Sequence, residues 1–203
     1  REDAAIRGGI PVVFPQFSGL GRLPKHGFAR VTTWNLDKVT ERADGGACAT
    51  FTLRDSPATR ELWPGRFAAQ LQVALTGQRV EVTLSVRNTG DEPFTFTAAL
   101  HTYLHVRDVA QAGIAGLGGR SYIDQAAGGA QAVQHEEPLS ICGEIDRIYP
   151  DAPPTVVVRE PGRETEVSAY GFSDLVVWNP GPERAAGIKD LEPDGYRHML
   201  CVE

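Results

Sequence analysis

The stretch Arg79-Val80-Glu81-Val82-Thr83-Leu84-Ser85-Val86-Arg87-Asn88 (RVEVTLSVRN) alternates apolar and polar residues without interruption. A period of two puts Val80, Val82, Leu84 and Val86 on one side of an extended chain, with charged and hydroxyl residues opposite. Valine is stiff at its branched Cβ and packs well on a pleated surface, so the segment reads as a half-buried strand.

The same pattern recurs along the chain. VTTWNLDKV (31–39), ACATFTLRD (47–55), AAQLQVALT (68–76), PFTFTAALHTYLHV (93–106), TVVVRE (155–160), ETEVSAYGF (164–172), DLVVWN (174–179) and HMLCVE (198–203) are further strand candidates. TGQ, NTGDEP, NPGPE and EPDG separate them with turn residues suited to antiparallel connections. No segment offers a long amphipathic helix. DQAAGGAQAVQHEEP (124–138) is rich in alanine and glutamine but broken by Gly128 and Gly129, and reads as a loop. The expected class is an all-β sandwich forming a single domain over residues 1–203.

Composition narrows the partners. Lys and Arg number 20 against 26 Asp and Glu, and the net charge of −6 disfavours nucleic acid and anionic membrane surfaces. No apolar run approaches the roughly 20 residues of a membrane-spanning helix. Cys48, Cys142 and Cys201 are scattered and lack C-x-x-C spacing, which suits a reducing, cytoplasmic setting and excludes a disulfide framework.

Chemistry-bearing residues then stand out in three places. If Phe94, Phe96, Ala98 and Leu100 face a core, His101, Tyr103 and His105 share the other, solvated face. A histidine there is available for proton transfer near neutral pH, or is a structural hydrogen-bonding group; the pattern leaves both open. On a strand, His101 and His105 lie about 13 Å apart at roughly 3.3 Å per residue, too far to share a small cation. Glu203 follows Met199 and Cys201 on one strand face, so it is either a solvent-pointing end or a general base with restricted hydration. Arg7, Lys25 and Arg30 surround glycine-rich backbone, where guanidinium forks suit carboxylate or phosphate oxygens; the pattern alone favours solvated surface charges pairing with the acidic excess. GLGGRS (116–121) lacks the lysine–threonine end of a P-loop, and no G-x-S-x-G elbow is present.

Seven motifs carry a resemblance running nearly end to end: IRGGIPVVFPQF, LPKHGFAR, LWPGRF, ALHTYLHV, EIDRIYPD, DLVVWNPG and GYRHMLCVE, in that order. The chain resembles the glucose-6-phosphate 1-epimerases (hexose-6-phosphate mutarotases) of the aldose 1-epimerase, or galactose mutarotase-like, superfamily. That resemblance implies a β-sandwich binding a sugar on one sheet face and interconverting the α and β anomers of a hexose 6-phosphate. It implies His101 as the general acid at the ring oxygen and Glu203 as the general base at the C1 hydroxyl. Arg7, His26 and Asp146 would hold the sugar, and Arg7, Lys25 and Arg30 the phosphate, with lysine at 25 where some relatives carry glutamine. No metal or cofactor is expected, and the protein would act as a monomer on a small hexose phosphate. The family pattern also has strands before RGGIP and a short one after CVE, so the expected sandwich is trimmed at both ends. Two other readings stand beside this one: a mutarotase of unphosphorylated aldoses, and a carbohydrate-binding protein of the same fold without turnover.

Overall fold

The computed structural model describes residues 6–203, which fall into two compact units. The first comprises Val12–Ala98; the second comprises Ile6–Pro11 and Ala99–Glu203.

In the first unit, β1 (Val12–Val13) precedes an antiparallel meander of β2 (Asn35–Glu41), β3 (Ala47–Arg54), β4 (Phe67–Thr76) and β5 (Arg79–Asn88). The β4–β5 register explains why RVEVTLSVRN alternates. Val80, Val82, Leu84 and Val86 stand opposite Leu75, Val73, Leu71 and Ala69, whereas Glu81, Thr83 and Ser85 meet Ala74, Gln72 and Gln70. One row is apolar throughout and the other largely polar, so a one-residue slip would invert every side chain. Gly77, with φ of 54°, opens the two-residue turn between these strands. A short helix, α1 (Pro57–Leu62), follows β3 and begins with a capping box between Ser56 and Thr59, with proline in its first turn.

Strand β5 does not continue into a strand over 93–98, as the alternation of PFTFTAAL predicts. Phe94 and Phe96 instead join a cluster with Phe14, Phe28, Trp63 and Phe67, where ring centroids lie 4.8 Å apart for Trp63–Phe94 and 5.2 Å apart for Phe14–Phe96. Phe96 remains 42% exposed. The neighbouring chain explains the difference. Thr97 donates its N–H to Pro15 O, and its hydroxyl accepts from Phe17 N, but proline offers no N–H in return.

The second unit holds β6 (Ala99–Leu100), β7 (Tyr103–His105), β8 (Gly113–Ala115), β9 (Ser121–Asp124), β10 (Ala130–Val133), β11 (Leu139–Ser140), β12 (Ile145–Tyr149), β13 (Thr155–Glu160), β14 (Arg163–Ser168), β15 (Leu175–Asn179) and β16 (Met199–Val202), with a five-residue helix α2 (Gly181–Ala185) after β15. Six of the strands form a sheet ordered β10-β9-β12-β15-β16-β7, and four form a sheet ordered β11-β8-β13-β14. Ile145, Tyr149, Leu175, Val177, Leu200 and Val202 from the larger sheet meet Ile114, Leu139, Val156 and Val158 from the smaller in one core. Two antiparallel sheets packed through alternate residues make this unit a β-sandwich. The DQAAGG loop is in fact a hairpin: Ala130–Val133 pairs with Ser121–Asp124, and Gly128 and Gly129 take the positive φ that the turn needs. Alanine and glutamine carry weak strand preference, so pairing with β9 decides this segment.

Candidate active site

The larger sheet of the second unit carries the site on the side away from its core. In β16, Leu200 and Val202 enter the core, so Met199, Cys201 and Glu203 point the other way. Register then aligns a row across four strands. Asp146 stands opposite Trp178, Trp178 opposite Cys201, and Cys201 opposite Tyr103. Glu203 extends the ladder by two backbone bonds with Val176, each 2.9 Å. Continuing that antiparallel count by two residues brings His101 opposite Glu203.

The side chains meet there. His101 Nε2 lies 3.1 Å from Glu203 Oε1, with side-chain exposures of 9% and 3%. The solvated face that alternation predicts for His101 is therefore a covered one. Aromatic rings account for this: Tyr103 stacks on His101 with centroids 4.7 Å apart and planes within 8°, and Trp178 presents an edge to both. His105, the other histidine of the motif, is exposed and turns its Nδ1 to His198 O instead.

Local hydrogen bonds hold these strands in place. Asn179, fully buried, donates to Tyr196 O and Met199 O and accepts from Gly181 N, fastening the end of β15 to the start of β16. On the opposite flank, His101 N donates to Pro11 O and Tyr103 N to Gly9 O. Residues 9–11 thus run antiparallel beside 101–103, which carries Arg7 along the same edge. Arg7 Nε donates to Asp190 Oδ1 at 3.0 Å, an exposed pair.

Electrostatics follow from this enclosure. Burial pushes the Tyr103 phenol well above its ordinary range; the neighbouring Cys201 and Glu203 push the same way, and Arg7 opposes them. The Cys201 thiol is likewise held up, by burial first and then by the Glu203 charge. Both groups therefore keep their protons at neutral pH. His101, Cys201 and Glu203 also bring a nitrogen, a sulfur and an oxygen within 4.8 Å of one another, the donor types of a transition-metal site. His101 and Glu203 of this set are already engaged with each other.

The remaining predicted residues are placed individually. Asp146 lies half-buried at the far end of the row, in β12. In the first unit, His26 is buried, takes φ of 67°, and accepts at Nδ1 from Ser18 N at 3.3 Å. Its ring therefore carries its proton on Nε2 when neutral. Gly27 is required by backbone packing: a Cβ there would stand 2.2 Å from Phe14 O, and φ is 68°. Arg30 Nη2 donates to the backbone carbonyl of Lys25 at 2.9 Å, which ties the half-buried guanidinium to the loop that carries Lys25. The glycine-rich GLGGRS turn is already filled from within, since Gly116 N and Gly118 N both donate to the Glu137 carboxylate. Trp178 and Asp190 escaped sequence reasoning, whereas alternation already set Cys201 on the face of Glu203. Register alone brings Trp178 beside Cys201, and no pattern marks Asp190.

The sequence profile described as aldose 1-epimerase matches residues 3–203. The chain belongs to the aldose 1-epimerase family. A plant relative from Cenchrus ciliaris, named "Putative glucose-6-phosphate 1-epimerase", is 33% identical over 209 residues, covering 98% of this chain and 63% of its own. A crystal structure from Salmonella typhimurium, described as a "putative mutarotase", is 31% identical and superposes with a TM-score of 0.91 over 100% of this chain and 68% of the other. A galactose mutarotase related enzyme from Lactobacillus acidophilus, 17% identical over 95% of this chain and 69% of its own, shares the fold with a TM-score of 0.77. The epimerase-family chain thus spans about two thirds of the length of these relatives. Its fold is galactose mutarotase-like and all-β.

Proposed function

We propose that the protein interconverts the α and β anomers of a hexose 6-phosphate by general acid–base ring opening and closure. The observation that carries this reading is the buried approach of His101 Nε2 to Glu203 Oε1 at 3.1 Å. In a cyclic sugar the ring oxygen and the C1 hydroxyl oxygen are bonded to the same carbon. An acid serving one and a base serving the other must therefore be close neighbours, and these two are.

The steps balance without a redox partner. Imidazolium at His101 gives a proton to the ring oxygen while the Glu203 carboxylate takes one from the C1 hydroxyl, and the C1–ring oxygen bond breaks to leave the open-chain aldehyde. Rotation about the C1–C2 bond presents the other carbonyl face. Reclosure, with the two groups now in reversed roles, yields the other anomer and restores both. Arg7, His26 and Asp146 are assigned to the sugar, and Arg7, Lys25 and Arg30 to the phosphate, following the family resemblance. The assignment of Lys25 and Arg30 to an anion rests on their charge and motif, since the guanidinium is held by the Lys25 backbone carbonyl.

Anomer exchange of glucose 6-phosphate, followed by magnetisation-transfer NMR, tests the proposal. Loss of either group in His101→Ala or Glu203→Gln should slow exchange by about 10²- to 10⁴-fold. Equal rates in wild type and variants would remove the assigned roles. If Arg30→Ala leaves turnover of the phosphorylated sugar untouched, Arg30 does not bind the phosphate and the reading moves towards an unphosphorylated aldose. Binding of the sugar phosphate with no acceleration of exchange would indicate a carbohydrate-binding protein.

A further inference from the structure

We propose that Tyr103 is a positioning residue for this reaction: its ring sets the plane of the His101 imidazole so that Nε2 faces Glu203. The inference rests on the acid–base reading above, but its geometry stands by itself. Rotation of an imidazole about its outer side-chain torsion is broad and roughly two-fold, so a histidine ring needs a neighbour to fix its plane. Tyr103 supplies one. The two ring centroids are 4.7 Å apart and the planes nearly parallel at 8°, a stacked arrangement.

Backbone and neighbours keep that stack from drifting. His101 and Tyr103 are two residues apart on one face, and both donate their N–H groups to the segment containing Gly9 and Pro11. Trp178 sets its edge against both rings, with centroids 6.2 Å from His101 and 6.3 Å from Tyr103. Cys201, fully buried, stands opposite Tyr103 in the register. The fixed plane matters because Nε2 must alternate between giving and accepting a proton without the ring turning. Arg7 adds a second link: its charge acts on the Tyr103 phenol, so the residue that steadies the acid also meets a residue assigned to substrate.

The titratable groups in contact with His101 include Glu203, the protonated thiol of Cys201 and the stacked ring of Tyr103, and Arg7 acts on the last two. Of these, Glu203 is the charged partner in direct contact, so a change in ring plane should alter the histidine's coupling to that carboxylate. This separates a positioning role from a purely structural one.

The test compares Tyr103→Leu and Tyr103→Phe in the full chain by NMR of the histidine ring protons and by the pH profile of exchange. In wild type the His101 ring protons should be displaced upfield by the ring current of Tyr103, relative to those of exposed His105. Tyr103→Phe should keep that displacement and lose little in kcat. Tyr103→Leu should lose it, lower kcat by about 10- to 100-fold through misalignment with KM changed less, and move the acid limb of the profile. An unshifted His101 signal in wild type would overturn the proposal even if Tyr103→Leu failed to fold. So would a Tyr103→Phe variant as impaired as Tyr103→Leu, or a Tyr103→Leu variant with wild-type kcat and pH profile. If His101→Ala leaves exchange unchanged, the acid–base reading falls, while the NMR comparison still decides whether Tyr103 orients the ring.

Discussion

Glu203 is a carboxylate whose side chain is 3% exposed, and a charge in that setting needs a partner. His101 meets the need directly. The two side chains lie on the face of the sheet turned away from its core, covered by the Tyr103 and Trp178 rings. Cys201 beside it has the opposite character. A thiol that is fully buried and held protonated is a small packing group, and the thiolate is the reactive form. With a thiol-reactive chromogen at pH 8, exposed Cys142 should react promptly, whereas Cys201 should react only after unfolding. Prompt reaction of Cys201 in the native protein would contradict the enclosure described for the site. At this scale the residue types were legible: His101, Glu203, Arg7, Lys25 and Arg30 are recognisable from motif and charge. Their environments were not, because the Tyr103 and Trp178 rings that cover His101 come from within two residues of it and from a strand more than 70 residues away.

Elements show where local signals sufficed and where they failed. The helix α1 was not read from the sequence, although Ser56-Pro57-Ala58-Thr59 carries its start signals, a side chain able to cap the N3 position followed by proline in the first turn. Ser56→Ala should lower unfolding free energy by about 1 kcal/mol in a urea titration, the usual worth of such a cap. No change would mean that Thr59 and the proline alone set the helix start. The strands β4 and β5 were legible for a local reason, since each alternates and a glycine turn joins them. PFTFTAAL alternates just as well and yet forms no strand. Alternation reports which side chains share a side, but a strand also needs a partner backbone that can both donate and accept. Its neighbour near Pro15 cannot do so. The hairpin of β9 and β10 is the reverse case, with a weak pattern completed by a willing partner.

For the molecule as a whole, the sandwich core of the second unit and the site are two sides of the same strands. Leu200, fully buried, separates Met199 and Cys201, so shrinking it disturbs both faces of β16. Leu200→Ala should lower stability by about 2–5 kcal/mol, the range for a core leucine, and should also slow anomer exchange because Glu203 follows on the same strand. Thermal unfolding monitored by circular dichroism checks the first effect and NMR exchange the second. A loss of stability with unchanged exchange at low temperature would show that the site is held independently of that core. The sequence by itself determined the all-β class, the family motifs and the identity of the acid–base candidates, because period, turn chemistry and motif order are local properties of the chain. Only the tertiary structure decided that Asp146, Trp178, Cys201 and Tyr103 form one row and that His101 closes on Glu203. Those depend on strand register between segments distant in sequence, and register is chosen by the packing of the whole core.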